Sequence, residues 1–199
     1  MENKSNLGVP IAVVIAGLLI AGAVYLSAGK TPAGQTASAN PPEKTYPLEE
    51  MAPVSASDQV RGNRNAKIVF VDYSDLECPF CKMFHWSMEE VVKKYGKEIA
   101  WVYRHYPLDC DGGKTPNCRQ LHKQARKEAE AAECVAELGG EEKFWQYIDK
   151  IFAVTPSNDG LDLAQLPVYV KELGIDQAAF NTCLESGRPA DKIVEDMFT

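Results

Sequence analysis

The run from Lys67 to Tyr73 (KIVFVDY) leads straight into DLECPFC, and this junction limits the folds open to the chain. KIVFVDY has no polar alternation, which predicts a strand buried on both faces. Asp72 is out of place there, a carboxylate inside an apolar run. From Cys78 and Cys81 (CPFC) onward, apolar residues recur at Phe80, Phe84, Met88, Val91 and Val92. That is helical spacing, and Gly96 is a plausible stop. Ile99 to Arg104 (IAWVYR) predicts a second buried strand. Two buried strands joined by a helix long enough to cross over make a βαβ unit, so an α/β fold is expected.

The remainder reads as helices. Leu121 to Leu138 places Leu121, Ala125, Ala129, Ala132 and Val135 on one face, and Gly139-Gly140 breaks it. Glu141 to Phe152 carries Phe144, Trp145, Ile148, Ile151 and Phe152 on a second amphipathic face. A polar turn (TPSNDG) precedes a third helix ending near Leu173-Gly174. A fourth runs from about Asp176 to Ser186, and DKIVEDMFT begins another.

The amino-terminal side is of another kind. Leu7 to Ala28 is almost wholly apolar, and no charge occurs from Ser5 to Gly29. At about 1.5 Å per residue such a helix crosses a hydrocarbon core of roughly 30 Å. It exceeds the h-region of a secretory signal, about 7–15 residues, so a retained transmembrane signal-anchor over 1–29 is expected rather than a cleaved peptide. Residues 30–57, rich in Pro, Ala, Ser and Thr, predict a flexible tether, with the folded domain over 58–199. Against 28 acidic residues there are 21 basic ones, without a basic stripe, which excludes a nucleic-acid footprint.

All six cysteines lie in the folded part: Cys78, Cys81, Cys110, Cys118, Cys134 and Cys183. An even number behind a membrane-targeting segment points to an oxidising compartment, outside the cytoplasmic membrane. For CPFC, proline favours the first helical position, which puts Cys78 at the N-cap and Cys81 one turn in. Free N–H groups and the positive helix end then stabilise a Cys78 thiolate. Cys81 becomes the resolving thiol and needs a base; Asp72, with a carboxyl raised by desolvation, is the candidate. His85, one turn after Cys81, is a weaker one. Zinc is disfavoured, because no second CxxC exists and His85, His105 and His122 lack ligand spacing. A purely structural Cys78–Cys81 bridge would close too short a loop to stabilise much. No metal and no cofactor is expected. Of the three pairings open to the other cysteines we expect Cys110–Cys118, which bracket the turn-rich DGGKTPN, and Cys134–Cys183, which would pin two helices together.

DYSDLECPFC after one strand and YRHYPL after the next resemble the DsbA-like branch of the thioredoxin superfamily, as do FWQYIDKIF and LGIDQAAFNTCLESG. The resemblance runs from about Val54 onward. It implies a thioredoxin-like βαβ unit with a helical insertion at about 117–190. It also implies an extracytoplasmic, membrane-tethered protein-disulfide oxidoreductase that introduces disulfides into unfolded secreted proteins and is reoxidised by a membrane quinone-linked partner. Cys78 would be the nucleophile, Cys81 the resolving cysteine and Asp72 the acid beneath them. A reductase or isomerase of the same fold, or a non-catalytic tethered binding module, are the alternatives. The family's later strand with its cis-proline has no match, since Pro156 and Pro189 fall in helical sequence. We therefore expect two parallel strands, the C-terminal half of the sheet missing, and a fragment of a longer protein.

Overall fold

The computed structural model describes residues 51–110 and 119–197. The expected transmembrane helix, the tether as far as residue 50, and Cys118 lie outside the described residues. Among the described residues no helix is long and apolar enough to cross a membrane.

Three strands form one sheet: β1 (Gln59–Gly62), β2 (Ile68–Ser74) and β3 (Ile99–His105), in the order β1-β3-β2. Helix α1 (Pro79–Tyr95) joins β2 to β3, which run parallel with Ile68 opposite Ile99 and Ser74 opposite His105. This is the expected βαβ unit. The third strand is not expected from sequence: β1 pairs antiparallel with β3, Gln59 opposite Tyr103. QVRG is too short and too polar to announce a strand by pattern, and remote partners hold it in place. Val60 N donates to Glu141 at 2.6 Å, and Arg61 bonds Glu89 and Asp149 while its guanidinium lies 4.4 Å from the Trp145 ring centroid.

β3 is the central strand and is buried at all seven positions. β2 departs from expectation. Ile68, Val69 and Phe70 are 54%, 44% and 40% exposed, so the strand is not buried on both faces. It is an edge strand among the described residues, with one side of its backbone unpaired. An apolar run reports what a strand is suited to pack against, not how many neighbours it has.

Arg104 of β3 is 2% exposed and points toward the start of the folded chain. Its Nε donates to Asp58 Oδ1 at 3.0 Å, one Nη to Tyr73 Oη at 2.9 Å, and the other to the carbonyls of Ala52 and Pro53 at 3.1 and 3.3 Å. Burial alone would raise the Asp58 carboxyl, but the bonds from Arg104 outweigh it and hold the group below its usual range. Residues 52–57, expected to belong to the tether, are thus strapped to the central strand.

The helical layer begins with α2 (Ala125–Val154), a single run broken at Gly140, whose φ of 78° and ψ of −178° only glycine adopts readily. Its start is later than the apolar pattern predicts. The amides of Leu121 and His122 both donate to Leu108 O, and Gln124 N to Asp159, which keeps 121–124 out of the helix and leaves Leu121 exposed. A 3-10 turn (Leu163–Gln165) leads into α3 (Leu166–Glu172). Then come α4 (Gln177–Ser186), capped by Asp176 accepting from Ala179 N at 2.8 Å, and α5 (Pro189–Met197). The core lies where Trp101 and Tyr103 of β3 meet Phe144, Trp145, Ile148, Ile151 and Phe152 of α2. A disulfide joins Cys134 of α2 to Cys183 of α4, with 5.8 Å between the Cα atoms. Cys110 is buried, and its expected pairing with Cys118 lies outside the described residues.

Candidate active site

β2 delivers the chain to the CPFC turn, and α1 starts inside it. Cys78 is the N-cap residue with extended backbone, Pro79 opens the helix, and no side chain caps the first turn. The Cys78 amide donates to Asp75 O at 3.1 Å, and Lys82 N donates to Cys78 O at 3.0 Å. The Cys78 sulfur is therefore next to the unshared N–H groups and positive end of a 17-residue helix. Both thiols are free and half-buried. Phe80 (75% exposed), Met83 and Phe84 form an apolar rim beside them.

The two thiols differ in their surroundings. Cys81 packs against the core, and burial pushes its thiol up to about 12, with the adjacent Cys78 sulfur adding to the effect; the Asp75 backbone and the Ser74 hydroxyl oppose it. A thiol held this high is a poor leaving group unless a proton reaches it as it departs.

Asp72 is half-buried on β2, and burial raises its carboxyl to about 6, with the nearby Trp101 indole opposing the rise. Its Oδ2 has no partner among the described residues. The parallel register puts Asp72 opposite Tyr103, which is 1% exposed. The Tyr103 phenol is pushed well above its ordinary range by burial, then by the charge of Asp72, with Cys81 and Asp75 contributing less. Tyr103 is thus near both Asp72 and Cys81, and Ser74 is near Tyr103 and Cys81. Sequence reasoning missed both; only the register of β2 on β3 could have found Tyr103.

A second set of residues braces the turn from below. Asp75 Oδ1 accepts from Glu77 N at 2.7 Å, and its Oδ2 accepts from Leu108 N at 2.7 Å and lies 3.0 Å from His122 Nδ1. Glu77, directly before Cys78 and fully buried, holds the 155–160 loop. Its carboxylate accepts from Thr155 Oγ1 at 3.4 Å and Gly160 N at 3.2 Å, and its carbonyl from Asn158 N at 2.8 Å. Lys82 Nζ adds a bond to Thr155 O at 2.8 Å. Ser157, Asn158 and Asp159 have φ of 66°, 54° and 63°, a left-handed run that costs roughly 1–2 kcal/mol per residue and persists only under such bracing.

His85 faces the core rather than the thiols. Its Nε2 is 2.8 Å from Asp149 Oδ1, and its ring lies against Trp101 and Phe152. His85, Glu89 and Asp149 present ligand atoms within 4.8 Å of one another. Arg61 already pairs with both carboxylates, at 2.9 and 2.7 Å, so a guanidinium occupies the cluster.

The raised Asp72 carboxyl has a thermodynamic consequence. Its folded value, about 6, exceeds the ordinary 3.8, so between these values the folded chain binds the proton more tightly. This group's contribution to stability is therefore gained as pH falls from about 6 toward 3.8 and lost as pH rises. Asp72→Asn is expected to be more stable than the parent at pH 8, with the difference shrinking by pH 4. Urea unfolding at pH 4, 6 and 8 checks this; a gap that widens toward acid pH would contradict the assignment.

Comparison with known proteins agrees with this fold. A family model described as Thioredoxin matches residues 55–199. DsbA2 of Pseudomonas aeruginosa is 28% identical with a TM-score of 0.56, over 73% of each chain. The α-DsbA1 of Wolbachia pipientis, 24% identical, superposes with a TM-score of 0.57 over 75% of this chain and 69% of its own, a likeness of fold. Among curated relatives, the Na+/H+ antiporter NhaA 3 of Salinispora tropica is 33% identical over 151 residues, which are 75% of this chain and 21% of that protein. The chain spans about a fifth of the length of the curated relatives it matches.

Proposed function

The chain belongs to the thioredoxin family as a DsbA-like member, and from that we propose that it introduces disulfides into secreted polypeptides through Cys78 and Cys81. The observation that carries this is the unequal placement of the two thiols: Cys78 at the open N-cap of α1, Cys81 behind it with its thiol pushed up to about 12.

In the oxidised pair, a substrate thiolate attacks the Cys78 sulfur. The Cys78–Cys81 bond breaks, and Cys81 leaves with the electron pair. Because its thiol holds a proton so strongly, its departure is eased by proton delivery, and Asp72, whose carboxyl burial raises to about 6, is the group that supplies the proton. A second substrate thiolate then attacks the substrate sulfur of the mixed disulfide and expels Cys78 as a thiolate. Cys78 leaves beside the N-terminus of α1, and the positive end of a helix next to a departing sulfur is the arrangement expected of an oxidising couple. Two electrons pass from the substrate dithiol to the protein dithiol, and a membrane quinone-linked partner removes them. The apolar rim of Phe80, Met83 and Phe84 suits an unfolded client. In this reading residues 7–28 anchor the domain on the extracytoplasmic side, which protease accessibility in intact cells would test.

The deciding experiment equilibrates the Cys78–Cys81 pair with glutathione redox buffers and separately follows oxidation of a reduced, unfolded client. We expect a potential toward about −120 mV and client oxidation. A potential near about −270 mV would make the protein a reductant instead, and no exchange at all would remove the oxidoreductase assignment.

A further inference from the structure

Behind the redox turn, two carboxyl groups face each other in the protein interior. Glu77 and Glu128 are both 0% exposed. They come from different layers, Glu77 from the turn before Cys78 and Glu128 from the first turn of α2. Both Glu77 oxygens already accept hydrogen bonds, from Thr155 Oγ1 and Gly160 N. Neither Glu128 oxygen has a partner among the described residues, although its carboxyl is within reach of Glu77's.

Among the described residues no cation pairs with either carboxyl. Asp75 and Asp159 add negative charge, and the Tyr147 phenol is neutral. His122 is held by Asp75, and Lys82 is directed to the Thr155 carbonyl. Two ionised carboxylates buried side by side, with no cation paired to either, repel strongly, and one of them keeps a proton. Burial, and after it Glu77, push the Glu128 carboxyl up to about 10. The acceptor role of Glu77 and the empty partner set of Glu128 decide where that proton resides.

We propose that Glu128 is a positioning residue for the dithiol, remaining a carboxylic acid that donates its proton to Glu77 and so locks the residue before Cys78, and the 155–160 loop it holds, onto the helical layer. The proposal rests on the oxidoreductase reading for its relevance to catalysis, though not for its physical test. Because Glu128 carries no charge, the pair next to Cys78 holds at most one negative charge rather than two. A second negative charge there would disfavour the thiolate and shift the couple toward reductant.

Two measurements on the whole folded protein test this without reference to turnover. Infrared difference spectra at pH 8 between the parent and Glu128→Gln should show a protonated-carboxyl stretch present in the parent and lost in the variant. Its absence from the parent would overturn the proposal. The pH profile of Cys78 alkylation should be the same in parent and Glu128→Gln, because glutamine keeps a neutral donor. If Glu128 were ionised, removing its charge would move that profile downward by about one unit, or tenfold in thiolate fraction, and this also overturns it. Glu128→Ala, which removes the donor, should speed amide exchange at Asn158 and Gly160 about tenfold while leaving β3 protected. Unchanged exchange there would mean that Glu77 needs no such brace. Failure of client oxidation with these three results intact would fault the functional reading and leave the positioning role standing.

Discussion

Cys78→Ser is expected to abolish thiol–disulfide exchange, while Cys81→Ser leaves the protein covalently joined to its clients. The difference follows from the two positions. Cys78 is the N-cap residue with its sulfur beside the unshared amides of α1. Cys81 lies in the first turn against the core. Without Cys78 nothing accessible can attack or be attacked, so turnover falls to the uncatalysed background. Without Cys81 the first step still proceeds when a Cys78 thiolate meets a client disulfide, but no intramolecular thiol releases the mixed disulfide. Non-reducing electrophoresis followed by mass spectrometry of the adducts gives the readout. Equal residual turnover in the two variants, or adducts formed through Cys81, would invert the assignment.

The largest expected change in stability comes from the crosslink between α2 and α4. Cys134 and Cys183 are 49 positions apart. In the chain-entropy picture, closing a loop of that length constrains the unfolded chain by about 4 kcal/mol. Both residues are buried, at 0% and 1% exposure, so the bridge also fastens packed surfaces. The double variant Cys134→Ala/Cys183→Ala should therefore lose about 2–5 kcal/mol and melt roughly 10 °C lower. Denaturant unfolding with the Cys78–Cys81 pair kept in one redox state measures the difference. A loss below about 1 kcal/mol would mean that the reduced unfolded chain already holds these helices together.

How far the sequence reaches depends on whether a feature is local. The CPFC turn, its helix and the break at Gly140 are visible in short windows, because proline at a helix start and glycine at a break act through their own backbone. Asp72 was visible as a chemical anomaly within a strand. Tyr103 was not, since its relation to Asp72 exists only through strand register. Glu77 and Glu128, 51 positions apart, read separately as ordinary charged residues; only folding brings the second under the first. β1 was missed for the same reason, as its partners are an arginine's reach away on α1 and α2. The exposed side chains of β2 mark the opposite error, in which an apolar pattern was read as burial.

The clamp formed by Arg104 also bears on how the domain carries load. The guanidinium grips the carbonyls of Ala52 and Pro53 and the carboxylate of Asp58, and it belongs to the central strand. Tension applied from the N-terminal side of Met51 therefore reaches the middle of the sheet before it reaches β1. A load entering from that side would be borne first by a buried side chain of the central strand. The same guanidinium also holds the Tyr73 hydroxyl of β2, so a load on the clamp would be shared with the strand that leads into the Cys78 turn.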